Sequence, residues 1–377
     1  MPSQKIAIAL LLAIPATSWA NPNDVVLSRL TYGFTRSEED PDVTSRNVDS
    51  DGDGIPDRED PDALGSDCGT GTKLCAAHQW AYRQLVSQLG RAFAPKLLST
   101  PRTLGWNGFY VGLEGTLTGI DDTARYWQLG TEGKLSDVET LTGDPEPVLF
   151  VPTVRIRKGF PFGIELGTGI SYMTATELVG LGLDIRVAPF EGFVRNIGYL
   201  PDIAVRGAVN RVTGERELDL TIVGLDVSIG KRFGAFGQIS IAPYAGWQHM
   251  WVIGDSEVVD TTPERDAWAE CAPEWSAEAR CIAADGSRAD RESCESAESG
   301  FAWQADYVCT SEAGRDDYEN NVVFARETLQ NERAFFGVQL IWEHVAVTAQ
   351  FDLDLTRAET VEASRQWNTS LGVGFDY

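Results

Sequence analysis

Ten stretches of alternating apolar and polar residues constrain the fold of this 377-residue chain more than any other feature. Successive side chains of a β-strand point to opposite faces, so alternation predicts strands with one apolar face each. Most of the stretches have the length that a tilted strand needs to cross the hydrocarbon of a bilayer. They lie at roughly 107–118, 148–158, 162–173, 176–188, 201–210, 217–230, 236–251, 331–343, 345–356 and 366–377.

The two faces of these stretches differ in chemistry. One face is aliphatic or aromatic, as in Phe109, Val111 and Leu113, whereas the other carries glycine, small polar residues and charges. The charges on the second face predict a network inside a closed sheet, made of Glu114, Arg155, Arg157, Glu165, Asp184, Arg186, Arg206, Asp226, Asp352 and Asp354. Asp352 and Asp354 would also suit a catalytic carboxylate pair, but a structural pairing with Arg155, Arg157, Arg186 and Arg206 is the favoured interpretation.

The last alternating stretch ends the chain on an aromatic residue, with a second aromatic two positions earlier. Its key residues, Ser370, Gly372, Phe375 and Tyr377, resemble the C-terminal signal of bacterial outer-membrane β-barrel proteins. The resemblance implies an outer-membrane lipid environment and recognition by the barrel assembly machinery. The predicted fold is all-β, an antiparallel up-and-down transmembrane barrel of about ten strands over 106–377. A soluble β-sandwich is the alternative, because alternation and glycine fit it too.

Residues 1–20 have the pattern of a secretory signal. Lys5 precedes a short apolar run, and the small residues Ser18 and Ala20 predict cleavage after Ala20. Export and a barrel together predict localisation in the outer membrane of a Gram-negative bacterium. With the N-terminus in the periplasm, the connections 119–147, 252–330 and 357–365 would face outward.

Residues 21–105 are predicted to form a periplasmic segment with an acidic loop and one amphipathic helix. Within the loop, residues 49–60 place carboxylates at the calcium-ligand positions of a tight loop, with Gly54 at the sharp turn: Asp49, Asp51, Asp53, Asp57 and Asp60. This stretch resembles a single thrombospondin type 3 repeat, which implies bound Ca²⁺. An acidic disordered linker is the alternative.

An apolar periodicity of helical spacing predicts the helix at about 73–98, and Pro101 would stop it. The helix needs an apolar surface on which to lie. The sequence leaves open whether it docks on the barrel mouth, plugs the lumen or lies along the inner leaflet.

Six cysteines fall into two groups. Cys68 and Cys75 predict a local disulfide, with a metal pair as the weaker alternative. The other four lie in the connection 252–330, which has a net charge of −13, and predict two further disulfides in an outward-facing cap: Cys271, Cys281, Cys294 and Cys309. Sequence allows three pairings among them. Such a cap would select basic surface partners, whereas the alternative is a solvated loop of no function.

The function classes follow from charge and from missing motifs. A formal charge of −25 argues against nucleic-acid binding. The chain is similar to the omptin proteases in strand number only, and none of its histidines suits catalysis at the outer rim, so it is predicted not to be an enzyme. A surface anchor or binding protein that acts through its cap is the favoured prediction. A narrow or plugged channel is the alternative. It is less favoured because a ten-strand barrel is barely wider than one that its own side chains fill, so its lumen should be nearly closed to solutes.

Overall fold

Ten long strands close into one antiparallel barrel in the part of the chain that the structure describes. The computed structural model describes residues 21–35, 47–66, 68, 73–133, 145–190, 200–235, 239–261, 320–356 and 366–377, together with the backbone of short strands between 272 and 308. The predicted signal segment 1–20 lies outside these residues. Every barrel strand pairs with its neighbours in the chain, and the last strand pairs with the first, which confirms the predicted up-and-down topology.

The elements are numbered in chain order. The N-terminal part contains strands β1 (Thr31–Phe34) and β2 (Leu74–Ala77) and helix α1 (Gln79–Ala92). The barrel strands are β3 (Phe109–Gly119), β4 (Val148–Phe160), β5 (Ile164–Tyr172), β6 (Val179–Val187), β7 (Asp202–Thr213), β8 (Leu218–Gly230), β9 (Ile239–Ser256), β10 (Glu327–Trp342), β11 (Val345–Asp354) and β12 (Trp367–Asp376).

Shorter elements lie between these. They are the helix α2 (Arg125–Leu129), the 3₁₀ turns Leu27–Arg29, Pro61–Ala63 and Pro161–Gly163, and the strands Phe233–Ala235, Val259–Asp260, Ala272–Glu274, Arg280–Ala283, Arg288–Ala289, Phe301–Gln304, Asp306–Val308 and Asn321–Val322.

Each of the ten alternating stretches forms one barrel strand. The largest differences are in β9 and β10, which have 18 and 16 residues because their ladder continues as far as the pair Gly254 and Glu327. This hairpin extends further than its neighbours and is continued by the pair of strands Val259–Asp260 and Asn321–Val322. It forms the base of the connection 252–330.

The barrel has two different ends. We call the end with the short connections 161–163, 231–238 and 343–344 the turn end, and the end with the connections 120–147 and 257–326 the loop end. The outer wall between them is apolar, as shown by Leu113 and Leu183, which are 64% and 62% exposed. Exposed aromatic side chains border this wall at both ends, among them Trp247 and Trp367 near the loop end and Trp342 and Tyr377 at the turn end. No helix among the described residues is long and apolar enough to span a membrane.

The N-terminal part of the chain runs through the barrel rather than beside it. The described residues between 21 and 78, which we call the mouth segment, lie at the loop end, where Val25 bridges Thr131 and the Asn23 amide donates to the Ala175 carbonyl at 3.1 Å. Residues 79–104, which we call the plug, continue through the lumen to the turn end. The mouth segment therefore lies at the end that carries the long connections. The strand pattern contained no information on this point.

The plug helix is shorter than the predicted 73–98. Its start is set by β2, which pairs with β1, and by His78, whose Nδ1 caps the helix by accepting from the Ala81 amide at 3.2 Å. Its end at Ala92 precedes Pro95, which has no amide proton and disfavours helical backbone in the residue before it. The predicted disulfide between Cys68 and Cys75 is confirmed, with Cα atoms 4.8 Å apart.

The loop-end half of the lumen is apolar and holds α1. Leu85, Val86 and Leu89 are fully buried in one large cluster with apolar side chains of the wall and of the mouth segment. The packing is close at Gly90, where an added Cβ would approach Val252 to 2.3 Å. Because an α-helix satisfies its own backbone hydrogen bonds, it can lie against such a wall without polar partners.

Candidate functional site

The turn-end half of the lumen is lined by the charges that the sequence predicted to point inward. All ten are buried, and the structure brings the members on β3 to β8 together in ion pairs. Arg155 contacts Asp184 and lies 4.0 Å from Glu114, and Arg206 contacts Asp226 at 2.7 Å. Glu165 accepts from both Arg157 at 3.4 Å and Arg186 at 3.2 Å. The wall thus carries paired charges rather than a ring of one sign.

Asp352 and Asp354 have partners that the sequence did not predict. Asp354 pairs with Arg91 of the plug at 2.9 Å, and Asp352 lies 3.9 Å from both Lys96 of the plug and Arg333 of the wall. The predicted pairing with Arg155, Arg157, Arg186 and Arg206 is therefore corrected, because the plug brings its own cations to these carboxylates. Both carboxylates lie buried beneath the plug, which gives no support to a catalytic pair. The sequence placed Arg91 on the predicted helix, but its contact with Asp354 depends on the path of the plug through the lumen.

Side chains of the wall hold the non-helical half of the plug, residues 93–104, through its backbone carbonyl groups. The Pro95 carbonyl accepts from Arg206 at 3.0 Å, from Arg333 at 2.9 Å and from Gln248 at 3.2 Å. Arg206 also donates to the Lys96 carbonyl at 2.7 Å. A non-helical segment inside a barrel has no ladder, so its backbone needs such side-chain partners. The sequence placed Arg206 in this network, but gave no sign that backbone would be its partner.

The plug stays attached to the wall as far as the turn end. Arg186 donates to the Thr100 carbonyl at 3.2 Å and to Ser99 Oγ at 2.6 Å. The Leu104 amide donates to Glu165 at 3.0 Å. Beside the plug, a polar cavity of the lumen has a volume of about 40 Å³, room for two or three water molecules. The plug is tightly enclosed here, since Leu97, Leu98 and Ser99 are each at most 2% exposed.

The mouth segment and the base of the connection 252–330 form one body at the loop end. The Cys75 amide donates to Asn320 at 2.9 Å, and Gln79 donates to the Ala325 carbonyl at 2.9 Å. Arg83 lies 3.3 Å from Glu59 of the mouth segment and 3.4 Å from Glu327 of β10. These contacts position the base of the acidic connection relative to the plug.

Two glutamates at the loop end hold the first residues of the mouth segment. Glu215 accepts from the Val25 amide at 3.4 Å, and Glu217 accepts from the Leu27 amide at 3.1 Å. Burial, together with the neighbouring Asp24 carboxylate, raises the pKa of Glu215 to about 7. Burial also raises the pKa of Glu217 above its ordinary value.

The carboxylates of the predicted calcium loop divide into two sets, since Asp49, Asp51 and Asp53 are exposed whereas Asp57 and Asp60 are buried. One carboxylate oxygen each from Asp49, Asp51 and Asp53 lies within 4.8 Å of the others, as a shared cation requires. Asp57 instead accepts from the amide and hydroxyl of Ser50, and Asp60 caps a 3₁₀ turn through the Asp62 amide. Gly52 and Gly54 adopt positive φ, in keeping with the sharp turn that the spacing predicts. Three of the five predicted ligands thus suit a cation in this conformation.

The remaining predicted residues are divided between described and undescribed parts. Ser370 Oγ lies 2.9 Å from Thr116 Oγ1 inside the barrel, Gly372 lies opposite Glu114, and Phe375 and Tyr377 are exposed at the turn end. Cys281 belongs to the short strand Arg280–Ala283. Cys271, Cys294 and Cys309 lie outside the described residues, so the predicted pairing of the four cysteines stays a prediction.

Comparison with known proteins adds little to this description. No protein-family model matches the sequence, and no curated protein is significantly similar to it. Similar solved structures include the N-terminal β-barrel domain of OprF from Pseudomonas aeruginosa (10% identity, TM-score 0.24, covering 72% of this chain and 99% of that one). Others are Neisserial surface protein A (11%, 0.26, 71% and 97%) and Ail of Yersinia pestis (8%, 0.25, 72% and 99%). TM-scores this low do not support a structural assignment. The evidence for the barrel is the strand pairing of the chain itself.

Removing one partner of the buried Arg206 and Asp226 pair should strongly destabilise the barrel. Asp226→Asn leaves the Arg206 charge buried without its carboxylate, so we expect a loss of about 3–5 kcal/mol in the free energy of unfolding. Denaturant unfolding of the detergent-solubilised protein measures this loss. Asp219→Asn, on the same strand, is the matched control because its pair with Arg211 is about half exposed and is worth less than about 1 kcal/mol. Equal losses in the two variants would contradict the proposed difference.

The attachment of the mouth segment should weaken as the pH rises. An acid whose pKa is higher in the folded than in the unfolded state stabilises the fold at low pH, and this contribution is lost as the pH rises from about 4.5 through 7. Hydrogen exchange of residues 21–30 should therefore be faster at about pH 8 than at about pH 5 after correction for intrinsic rates. Glu215→Gln should remove much of this dependence, whereas the exposed Glu257→Gln should keep it. An unchanged profile in Glu215→Gln would contradict the assignment to Glu215.

Proposed function

We propose that this chain is an integral outer-membrane β-barrel that anchors a folded body at the cell surface and does not conduct solutes. The observation that carries the proposal is the plug, because the chain fills its own lumen. An α-helix is about 10–12 Å across with its side chains, and a ten-strand barrel has little room beyond that. On the turn-end side of the helix, Arg206 and Arg333 of the wall donate to the Pro95 carbonyl of the plug.

The membrane part of the proposal is supported by the chain's own surface. The outer wall is apolar, and exposed aromatic residues border it at both ends, as expected of a barrel surrounded by lipid. The export pattern of residues 1–20 and the C-terminal aromatic pattern agree with delivery to the outer membrane by the barrel assembly machinery. In such barrels the long connections face outward and the short turns face the periplasm. The mouth segment and the connection 252–330 would then lie at the cell surface.

The anchor proposal predicts that the purified wild-type protein is silent in planar bilayers. Removing both guanidinium donors to the Pro95 carbonyl, by Arg206→Ala with Arg333→Ala, should loosen the plug and produce ion-conducting steps. Arg211→Ala is the matched control, because Arg211 lies on the same strand as Arg206 but is exposed.

Heat-dependent migration on detergent gels verifies that each variant has formed a barrel. Steady ion-selective steps from the wild-type protein would contradict the anchor proposal and favour the channel alternative. Identical migration of boiled and unboiled wild-type protein would contradict the barrel in a membrane.

The connection 252–330 is proposed to be the binding surface. Its net charge of −13 would attract basic partners in a salt-dependent manner, and its three tryptophans are of the residue type most enriched at binding hot spots. Its base is held to the mouth segment through Asn320 and to the plug through Ala325, which would present it in a fixed orientation.

If Cys271, Cys281, Cys294 and Cys309 form two disulfides in this cap, they should not react with maleimide on intact cells until a reductant is added. Val258→Cys provides the matched control, because Val258 lies at the base of the same connection and is 65% exposed. That added cysteine should react on intact cells without reductant. Free reaction of the four native cysteines would contradict a stapled cap.

We further propose that the loop 49–60 binds one Ca²⁺, with Asp49, Asp51 and Asp53 as its first ligands and Asp57 and Asp60 completing the site after a local rearrangement. Calorimetric titration of the full-length protein should show binding at about millimolar Ca²⁺, the range of extracellular calcium modules. Asp51→Asn with Asp53→Asn should abolish it, whereas Asp62→Asn, an exposed acid outside the predicted ligand set, should not. Absence of heat with the wild-type protein would contradict the calcium proposal without affecting the anchor proposal.

A further inference from the structure

A polar cavity lies between the plug and one side of the barrel wall. Plug residues Ala92–Lys96 form one side, and residues of the five consecutive strands β3 to β7 form the other. Its volume of about 40 Å³ exists because small residues line it, among them Ala94 and Gly182. Three of the polar side chains that border it, Glu114, Asp184 and Asn210, are each more than nine-tenths buried.

Each of these three side chains has one oxygen atom without a hydrogen-bond partner among the described residues. The atoms are Glu114 Oε1, Asp184 Oδ1 and Asn210 Oδ1. Asn210 cannot exchange its amide groups to relieve this, because its Nδ2 donates to the Phe93 carbonyl of the plug at 2.7 Å. Asp184 is likewise fixed, since its other oxygen contacts Arg155. The cavity therefore has three acceptors in fixed positions and needs donors.

We propose that this cavity is a built water site that holds two or three ordered water molecules between the plug and the wall. Buried waters are found where otherwise unsatisfied polar groups converge on a space of at least one water volume, and each water makes about three hydrogen bonds. Water supplies the donors that Glu114, Asp184 and Asn210 lack. It also supplies an acceptor for Arg155 Nε, which makes no hydrogen bond to another described residue.

Charge balance favours water over a metal cation at this site. The lining of the cavity carries two carboxylates, Glu114 and Asp184, and two cationic side chains, Arg155 and Lys96. Adding a desolvated unit charge to this balanced set would carry a large penalty without a new partner. The guanidinium group of Arg155 also stands beside the carboxylates that a cation would need.

The water cluster would link the plug to the wall where direct contacts are absent. Asn210 holds the Phe93 carbonyl with its amide nitrogen and faces the cavity with its oxygen. Water would connect this oxygen to Asp184 and Glu114, and so couple the end of the plug helix to three wall strands.

Radiolytic hydroxyl-radical labelling of the full-length protein in detergent tests this proposal, because bound water generates radicals next to the residues that touch it. Phe93 borders the cavity and is only 2% exposed, whereas Phe335 is 3% exposed and lies in an apolar cluster of the same lumen. We expect Phe93 to be labelled several-fold faster than Phe335. Equal and slow labelling of the two phenylalanines would overturn the proposal.

A cavity-filling variant supplies the second readout. In Gly182→Ala, the added methyl group would lie 3.7 Å from Asn210 Oδ1, so it should displace water and slow the labelling of Phe93. Gly207→Ala, on the neighbouring strand, is the control, because its methyl group meets nothing within 4 Å. A crystal structure that resolves ordered solvent should show two or three waters in the cavity. An empty cavity, or a single ion bound by the three oxygens, would overturn the assignment to water.

Discussion

The backbone of a segment that lies inside a barrel without joining its sheet must find every hydrogen-bond partner elsewhere, and this requirement governs the lumen. Residues 93–104 are non-helical and have no ladder, so the wall supplies Arg206, Arg333 and Arg186 as donors to their carbonyl groups. Those guanidinium groups are buried, and they in turn need carboxylates. The carboxylates of the wall thus hold the arginines that in turn hold the plug. Loss of one carboxylate would weaken both the ion pair and the hydrogen bonds from its arginine to the plug.

The change in plug conformation coincides with a change in the wall. At the loop end the wall is apolar and contacts a helix, which satisfies its own backbone and buries Leu85 and Leu89. At the turn end the wall is charged and contacts the non-helical residues 93–104 of the plug, whose carbonyl groups accept from wall arginines. Pro95 marks the boundary, because helical hydrogen bonding cannot continue through it. The two halves of the lumen therefore match the two halves of the plug in chemistry.

Much of this architecture was accessible from the sequence, since period-two alternation is a local property that records which face of a strand is apolar. The ten strands, the inward charges and the pairing of Cys68 with Cys75 follow from such local patterns. The path of the N-terminal segment does not, because its direction through the barrel depends on contacts between residues distant in the chain, such as Val25 with Thr131. The start of α1 was missed for the same reason, since β2 forms only by pairing with β1. The partners of Asp352 and Asp354 required knowing that Arg91 and Lys96 enter the lumen.

The N-terminal part of the chain passes through the lumen of the barrel that the rest of the same chain forms. The mouth segment, with its strand pair and its disulfide, lies at the loop end, whereas β3 begins at the turn end. While the mouth segment keeps this strand pair and disulfide, it cannot pass through a lumen that the plug already fills. The plug therefore cannot be withdrawn unless the mouth segment unfolds or the seam between β3 and β12 opens. The plug is therefore retained by the folded mouth segment as well as by its own contacts with the wall. This retention persists when individual contacts break.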